Sequence, residues 1–209
     1  MSGLIRKELY TLVSIYRKNL LLVFVMYTIL GVALKNMAFP YMTIWMAGIY
    51  SFGCFSVDHM CGWDRYVRTL PVRDEKTVGS KFLATLIMQT IAASYAVAIA
   101  IVNCLLNQGS LSIELVMIIT FMSLSVISMG IMIPVAIKWG VEKARTGFSL
   151  GFGMLAGIVW FSAKDGNDPA GVLAWMETQD GVIGLVVAAA VIYGLGYLLG
   201  CRLHRKKEF

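Results

Sequence analysis

Residues 58–81 read DHMCGWDRYVRTLPVRDEKTVGSK and form the longest polar stretch of the chain, between two long apolar runs. At its centre, apolar residues recur at the i, i+3, i+4 and i+7 spacing of one helix face, which holds Trp63, Tyr66, Val67 and Leu70. Pro71 predicts the end of this two-turn helix, because the residue before a proline is driven out of the helical region. A helix this short is marginal in water, so we expect it to pack against a partner.

Six apolar runs make up most of the remaining chain, which has 209 residues and is 58% hydrophobic and 14% charged. A soluble domain carries about a quarter charged residues, and a helix needs about 20 residues to cross a hydrocarbon core. No alternating β-barrel pattern occurs, so helices are the remaining way to span a bilayer. The sequence therefore predicts an all-α membrane protein with six transmembrane helices, at 20–34, 37–57, 82–106, 115–137, 146–163 and 181–201.

The cations fall mainly on one side of these predicted spans. Sixteen of the eighteen Lys and Arg residues lie in the N-terminal segment, in 58–81, in a loop at 138–145 or in the C-terminal tail, whereas Lys35 and Lys164 lie in the alternate loops. The positive-inside rule places the first set and both termini in the cytoplasm, as in a protein of an inner or plasma membrane. The net charge of +6 is then a topogenic signal with some attraction for membrane lipids, so we expect no nucleic-acid partner.

Residues 2–18 predict an amphipathic helix ahead of the first span. Its polar face carries Arg6 and Arg17, and its apolar face consists of Ile5, Leu9, Leu12 and Tyr16. Such a helix suits the headgroup plane of a membrane, and packing flat against the rest of the protein is the alternative. The outer loop 164–180 is predicted to contain a short helix that begins at Asp168-Pro169.

Polar residues are few inside the predicted spans, and no central position holds Asp, Glu, Lys, Arg or His. Ionisable residues inside a membrane mark proton and ion pathways, so this pattern disfavours an ion-coupled carrier. Gln89 and Asn103 are the candidates for lining a substrate path, and interhelical hydrogen bonding is the favoured alternative for both. Gly196 and Gly200 have the spacing that lets two helix backbones approach closely, within the chain or at a subunit interface.

Catalytic signatures are missing from the sequence. No Walker A motif, H-E-x-x-H or G-x-S-x-G occurs, and the four cysteines lack paired metal-ligand spacing. His59 and His204 lie in predicted cytoplasmic segments with no clustered partner, so we expect both to be solvated. We therefore predict a chain that is not an enzyme and has no catalytic residue, no metal ligand and no cofactor of its own.

Three segments of the sequence carry a family resemblance. The first contains Trp63-Asp64-Arg65-Tyr66, then Leu70-Pro71-Val72 and Gly79-Ser80-Lys81-Phe82; the second is KWGVEKAR at 138–145; the third is the basic Ile5-Arg6-Lys7-Glu8-Leu9. Together they resemble small bacterial ABC-transporter permeases of the type-2 export class, in which the second motif reads K-F-G-x-E-K-A-R and Trp139 is a phenylalanine. Permeases of this kind include exporters of amphipathic peptides such as phenol-soluble modulins.

The resemblance implies that two six-span subunits, identical or homologous, form a path for an amphipathic peptide or a hydrophobic drug. Each subunit would dock a cytoplasmic ABC ATPase, which binds ATP and Mg. The two-turn helix would insert into a cleft of that ATPase, with a second contact from the 138–145 loop. The residues implied in this coupling are Trp63, Asp64, Arg65, Tyr66, Arg68, Leu70, Pro71, Glu142, Lys143 and Arg145.

Two other functions compete with that of a permease subunit. A non-transporting membrane scaffold or immunity protein would need the same apolar helices but no ATPase partner. A membrane-embedded enzyme would need polar catalytic groups within the spans, and the sequence offers none that is convincing.

Overall fold

The computed structural model describes residues 2–33, 38–69, 73–107, 110–147, 149 and 179–206. These residues form helices joined by turns, which confirms the all-α prediction. The α-helices are α1 (Ser2–Ala33), α2 (Ala38–Met60), α3 (Trp63–Tyr66), α4 (Asp74–Asn107), α5 (Leu111–Trp139) and α6 (Gln179–Lys206), and a 3₁₀ turn (Val67–Thr69) follows α3. A further helical segment covers 141–147.

Four of the described helices are long and apolar enough to cross a membrane. The qualifying stretches are Gly3–Gly31, Asp74–Leu105, Leu111–Trp139 and Asp180–Arg205, in α1, α4, α5 and α6. The prediction of a multi-pass membrane protein is therefore supported, whereas the count of six spans stays a prediction. The predicted span 146–163 and the outer loop 164–180 fall almost entirely outside the described residues.

The helix that contains most of the predicted second span, α2, is not among these four. It packs against α1, α4 and α5, so much of its surface faces protein. Its polar residues Thr43 and Ser51 are buried and donate hydrogen bonds to backbone carbonyls of the same helix. A helix enclosed by its neighbours does not need an apolar surface on every side.

The predicted surface helix 2–18 and the predicted first span 20–34 are one continuous helix, α1. Leu12 is buried, and Leu9 and Tyr16 pack beside it against Cys54 and Met88 of the neighbouring helices. This apolar face therefore contacts the rest of the protein, which was the alternative to a helix lying on lipid. Contact between its cationic face and lipid headgroups stays a prediction.

The closest approach between helices is that of α5 to α6. A Cβ atom built on Gly196 would lie 2.2 Å from the backbone oxygen of Gly130, and one on Gly200 would lie 3.4 Å from the side chain of Ile137. The predicted small-residue pair therefore serves packing within this chain. Gly130 meets Gly196, and the later residue Ile137 meets the later residue Gly200, so α5 and α6 run parallel.

One end of the molecule collects the starts of α1 and α4 and the ends of α2, α5 and α6. An apolar cluster fills this end and includes Phe52, Phe55, Val78, Phe82, Ile133, Ile137 and Ala144. This end of the molecule also contains α3, so we call it the α3 end. The opposite half is packed mainly by small residues of α4 against α2, namely Ala92, Ala96 and Ala100 against Tyr41, Ile44 and Ala47.

Candidate functional site

The two-turn helix predicted from the sequence is present as α3 followed by the 3₁₀ turn. A tight turn precedes it, in which Gly62 has a φ of 67°, a left-handed conformation that glycine adopts without steric cost. The amide of Tyr66 donates to the carbonyl of Gly62 and closes the first helical turn. Leu70 and Pro71 lie outside the described residues, as do the side chains of Asp64, Arg65 and Arg68.

The predicted apolar face of this helix is divided between the protein interior and the exterior. Val67 is buried, and the indole nitrogen of Trp63 is also buried and has no hydrogen-bond acceptor among the described residues. Tyr66 is 56% exposed, and the turn before α3 exposes Met60 and Cys61. Trp63 and Val67 are four residues apart and therefore share a side of the helix. Trp63 and Val67 thus hold α3 to the bundle, whereas most of the neighbouring Tyr66 side chain is free for contact.

Four charged side chains from three helices meet beneath α3, and we call them the charge cluster: Lys7 and Glu8 of α1, Asp58 of α2 and Lys81 of α4. Nζ of Lys81 lies 2.6 Å from Oδ2 of Asp58, and Lys7 pairs with the other oxygen of Asp58. Nζ of Lys7 also lies 3.2 Å from Oε1 of Glu8. The exposed fractions of Asp58, Glu8 and Lys81 are only 2%, 4% and 7%.

The charge cluster is electrically balanced, with two ammonium and two carboxylate groups. Balance matters here because an unpaired charge is costly to bury, whereas a paired and hydrogen-bonded one is tolerated. Aromatic rings cover both ammonium groups: Nζ of Lys7 lies 4.5 Å from the centroid of Trp63, and Nζ of Lys81 lies 4.4 Å from that of Phe55. Such cation–π contacts contribute about 0.5–2 kcal/mol each. Lys7 therefore joins α1 to α2 and to α3.

Sequence reasoning missed the charge cluster. Asp58 and Lys81 mark the limits of the polar stretch, but nothing local pairs them with each other. Lys7 belongs to a motif that read as a basic flank, 51 residues before its partner Asp58. The available signal was an acidic residue placed directly after an apolar run, where a cation is more usual.

A second set of contacts fastens the end of α6 to the start of α4. Nη2 of Arg205 lies 3.0 Å from Oε1 of Glu75, and Nδ1 of His204 lies 3.5 Å from Oδ1 of Asp74. The expectation that His204 is solvated is wrong, because its side chain is buried against the start of α4. His59, in contrast, is exposed as expected.

The 138–145 loop also lies at the α3 end. Gly140 turns the chain with a φ of 89°, and Ala144 is buried in the apolar cluster described above. The three charged residues predicted for coupling, which are Glu142, Lys143 and Arg145, stay exposed. The first two of the three segments that carry the family resemblance, at 63–82 and 138–145, are therefore brought to the same end of the fold.

The two candidates for a substrate path have different surroundings. Gln89 is fully buried and its Nε2 donates to Oγ of Ser125 at 2.7 Å, which is the interhelical hydrogen bond favoured from the sequence. Ser125 Oγ in turn lies 3.5 Å from the carbonyl of Ile44, so three helices meet at this point. Asn103 lies near the end of α4 and is half-buried. A role in lining a path stays a prediction for both.

In the described ranges, no three His, Cys, Asp or Glu side chains are close enough to hold a metal ion. Comparisons with curated proteins and with solved structures find no match. The sequence profile of the family described as "ABC-2 family transporter protein" matches residues 3–204, nearly the whole chain. The protein therefore belongs to the ABC-2 transporter family, and is a permease component of an ABC transporter.

Proposed function

We propose that this chain is the permease subunit of an ATP-driven exporter and that α3 is its contact with the ATPase. Membership of the family implies a cytoplasmic ABC ATPase and a second permease subunit as partners. ATP and Mg would be bound by the ATPase, and members of the family generally carry no ATPase site of their own. The second permease subunit is a copy of this chain or a homologue of it.

The position of α3 is the observation that supports this proposal most strongly. A one-turn helix is not stable alone, and here Val67 and Trp63 fasten it to the bundle while Tyr66 is exposed. Exposed tyrosine and arginine side chains are the commonest strong contributors to protein–protein interfaces. We therefore keep Tyr66, Leu70, Arg65 and Arg68 as ATPase contacts.

The structure changes the role that we assign to Trp63. The resemblance implied that its indole fills the ATPase cleft, but the ring lies under Lys7 and its nitrogen is buried. We propose that Trp63 positions α3 and that Tyr66 makes the central contact. Asp64 and Pro71 would shape the same helix, and the exposed Glu142, Lys143 and Arg145 of the neighbouring loop would supply the second contact.

The proposed cargo is an amphipathic peptide or a hydrophobic drug, moved out of a bacterial cell. Support comes from the resemblance to exporters of phenol-soluble modulins and from the lack of ionisable residues in the middle of the apolar helices. The cavity beside Phe55 and His204 has a volume of about 30 Å³, far below the several hundred Å³ of ordinary ligand pockets. A path through that cavity does not fit such a cargo, so we propose that the path forms between two permease subunits.

The test is co-purification from cells that express the chain together with the ABC ATPase of a neighbouring reading frame. We expect the ATPase to co-purify with the parent chain, and Tyr66→Ala to reduce the recovered ATPase severalfold. Tyr10→Ala is the matched control, because Tyr10 is an exposed tyrosine on α1. Equal recovery with Tyr66→Ala would contradict the assigned contact. A parent chain that recovers no ATPase would favour the scaffold or immunity protein instead.

A second measurement addresses the cargo. The purified complex in nanodiscs would be given a phenol-soluble modulin peptide, and its ATP hydrolysis compared with that of the complex alone. Stimulation by the peptide, but not by a scrambled peptide without an amphipathic face, is the expected result. Hydrolysis that responds equally to both peptides, or to neither, would argue against amphipathic peptides as the cargo.

A further inference from the structure

The attachment of α3 to the bundle depends on a residue of a different helix. Trp63 is the first residue of α3, and its buried indole nitrogen has no acceptor in the described part of the chain. The ring contacts the ammonium of Lys7, which lies 4.5 Å from its centroid, and the ring of Tyr66 in the same helix, 5.6 Å away between centroids. Because Lys7 belongs to α1, any displacement of α3 acts on α1 through this contact.

Among the helices with apolar stretches, α1 is the least enclosed by the rest of the chain. Only 6% of its most apolar stretch is buried, against 56% for α5. The polar contacts of α1 lie near its two ends. The charge cluster is at the start of the helix, and in its second half Thr28 and the carbonyl of Phe24 hydrogen-bond to Tyr95. A helix with most of its apolar surface unburied can shift against its neighbours more easily than an enclosed one.

The arrangement of charges lets Lys7 change partners without leaving a charge alone. Asp58 holds Lys81 on one oxygen and Lys7 on the other, so it stays paired if Lys7 withdraws. Lys7 would then keep Glu8, its neighbour in the chain, at 3.2 Å. The side chain of Lys7 is 26% exposed, against 7% for Lys81, so Lys7 has more open space to move into. The steep cost of an unpaired buried charge is avoided in both states.

We infer that Lys7 is a positioning residue that couples α3 to α1, so that displacement of α3 by the ATPase is passed to α1. In this inference the Lys81–Asp58 ion pair stays in place, and Lys7 moves relative to it. The inference rests on the proposed function, because it needs an ATPase that displaces α3. The contact between Lys7 and Trp63 can nevertheless be tested on the chain alone.

The main variant is the double substitution Lys7→Met with Glu8→Gln. It removes the contact to Trp63 and leaves a balanced Asp58–Lys81 pair, so no buried charge is orphaned and the fold is spared. Lys7→Arg keeps the cation and should restore the parent behaviour. Lys18→Met is the matched control, because Lys18 is an exposed lysine on the same helix.

Two pairs of spin labels report the two halves of the inference, in protein from which Cys54, Cys104 and Cys201 have been replaced. The first pair joins Tyr10→Cys on α1 to the native, exposed Cys61 before α3. The second, in protein from which Cys61 has also been replaced, joins Tyr10→Cys to Arg202→Cys, an exposed position on α6. Distances would be measured by pulsed electron paramagnetic resonance, with labelled chain diluted by unlabelled chain to suppress distances between subunits.

In the chain alone, we expect the double variant to broaden the distance distribution of the first pair, with Lys7→Arg and Lys18→Met unchanged. In the complex trapped with ATP and vanadate, the second pair should shift in the parent and lose most of that shift in the double variant. An unbroadened first pair, or a full shift of the second pair in the double variant, would overturn the inference. A parent chain that binds no ATPase would instead overturn the proposed function, whatever the first pair shows.

Discussion

Asp58 and Lys81 stand at opposite ends of the polar stretch, yet Lys81 Nζ lies 2.6 Å from Asp58 Oδ2. This ion pair closes the stretch into a loop whose two ends are fixed on α2 and α4. The short helix α3 therefore lies in a loop whose two ends are held together by an ion pair.

The first prediction concerns this base. Asp58→Asn leaves Lys81 without its carboxylate partner in a buried site, and breaking such a pair costs about 3–5 kcal/mol. We expect a clear fall in the unfolding temperature, measured by scanning fluorimetry in detergent. Asp180→Asn is the control, since Asp180 is exposed at the start of α6, and should leave that temperature unchanged.

The double variant Asp58→Asn with Lys81→Met completes the same experiment. It removes both charges of the pair, and Lys7 retains Glu8. If the pair acts as a unit, the double variant should be less destabilised than the sum of the two single variants. Additive effects would show that the two side chains contribute independently, contrary to the geometry.

The second prediction concerns the approach of α5 to α6. Gly196→Ala places a methyl group 2.2 Å from a backbone oxygen of Gly130, where no side chain can move aside. The helices must separate, at a cost of about 1–3 kcal/mol or more. Gly194→Ala is the matched control, because a Cβ there meets nothing within 4 Å. It should be neutral or slightly stabilising, since alanine favours a helix.

The third prediction concerns Gln89. Gln89→Leu keeps most of the volume and removes the hydrogen bond to Ser125, and interhelical hydrogen bonds in membranes average about 0.6 kcal/mol. We expect a small loss of stability, and a loss that largely disappears when Ser125 is already alanine. Normal stability together with lost peptide stimulation of ATP hydrolysis would point to a substrate path instead.

The fourth prediction concerns sidedness, and it uses a native residue. Cys61 is exposed in the turn before α3, whereas Cys54 is buried. With Cys104 and Cys201 replaced, a membrane-impermeant maleimide should label Cys61 in inside-out vesicles and not in intact cells. Asp180→Cys, at the other end of the fold, should label in intact cells when Cys61 is also replaced. Labelling of Cys61 from outside would invert the proposed orientation and remove the ATPase contact.

The sequence by itself determined the helical class, the two-turn helix after Gly62 and the family. These features depend on local patterns, which are the apolar spacing, the position of Pro71 and two short motifs that lie at 63–82 and 138–145. Local patterns also favoured interhelical bonding for Gln89, because an isolated amide among apolar residues needs a partner.

Only the tertiary structure decided which side of α3 is free and what holds the other. Trp63 and Tyr66 are equivalent in an apolar pattern, but Lys7 covers one of them and leaves the other exposed. Likewise, Asp58, Lys7 and Lys81 read as separate flanking charges until three helices bring them together. The reason is physical: periodicity fixes the face of a helix on which a side chain lies, whereas pairing depends on which distant helix packs against that face.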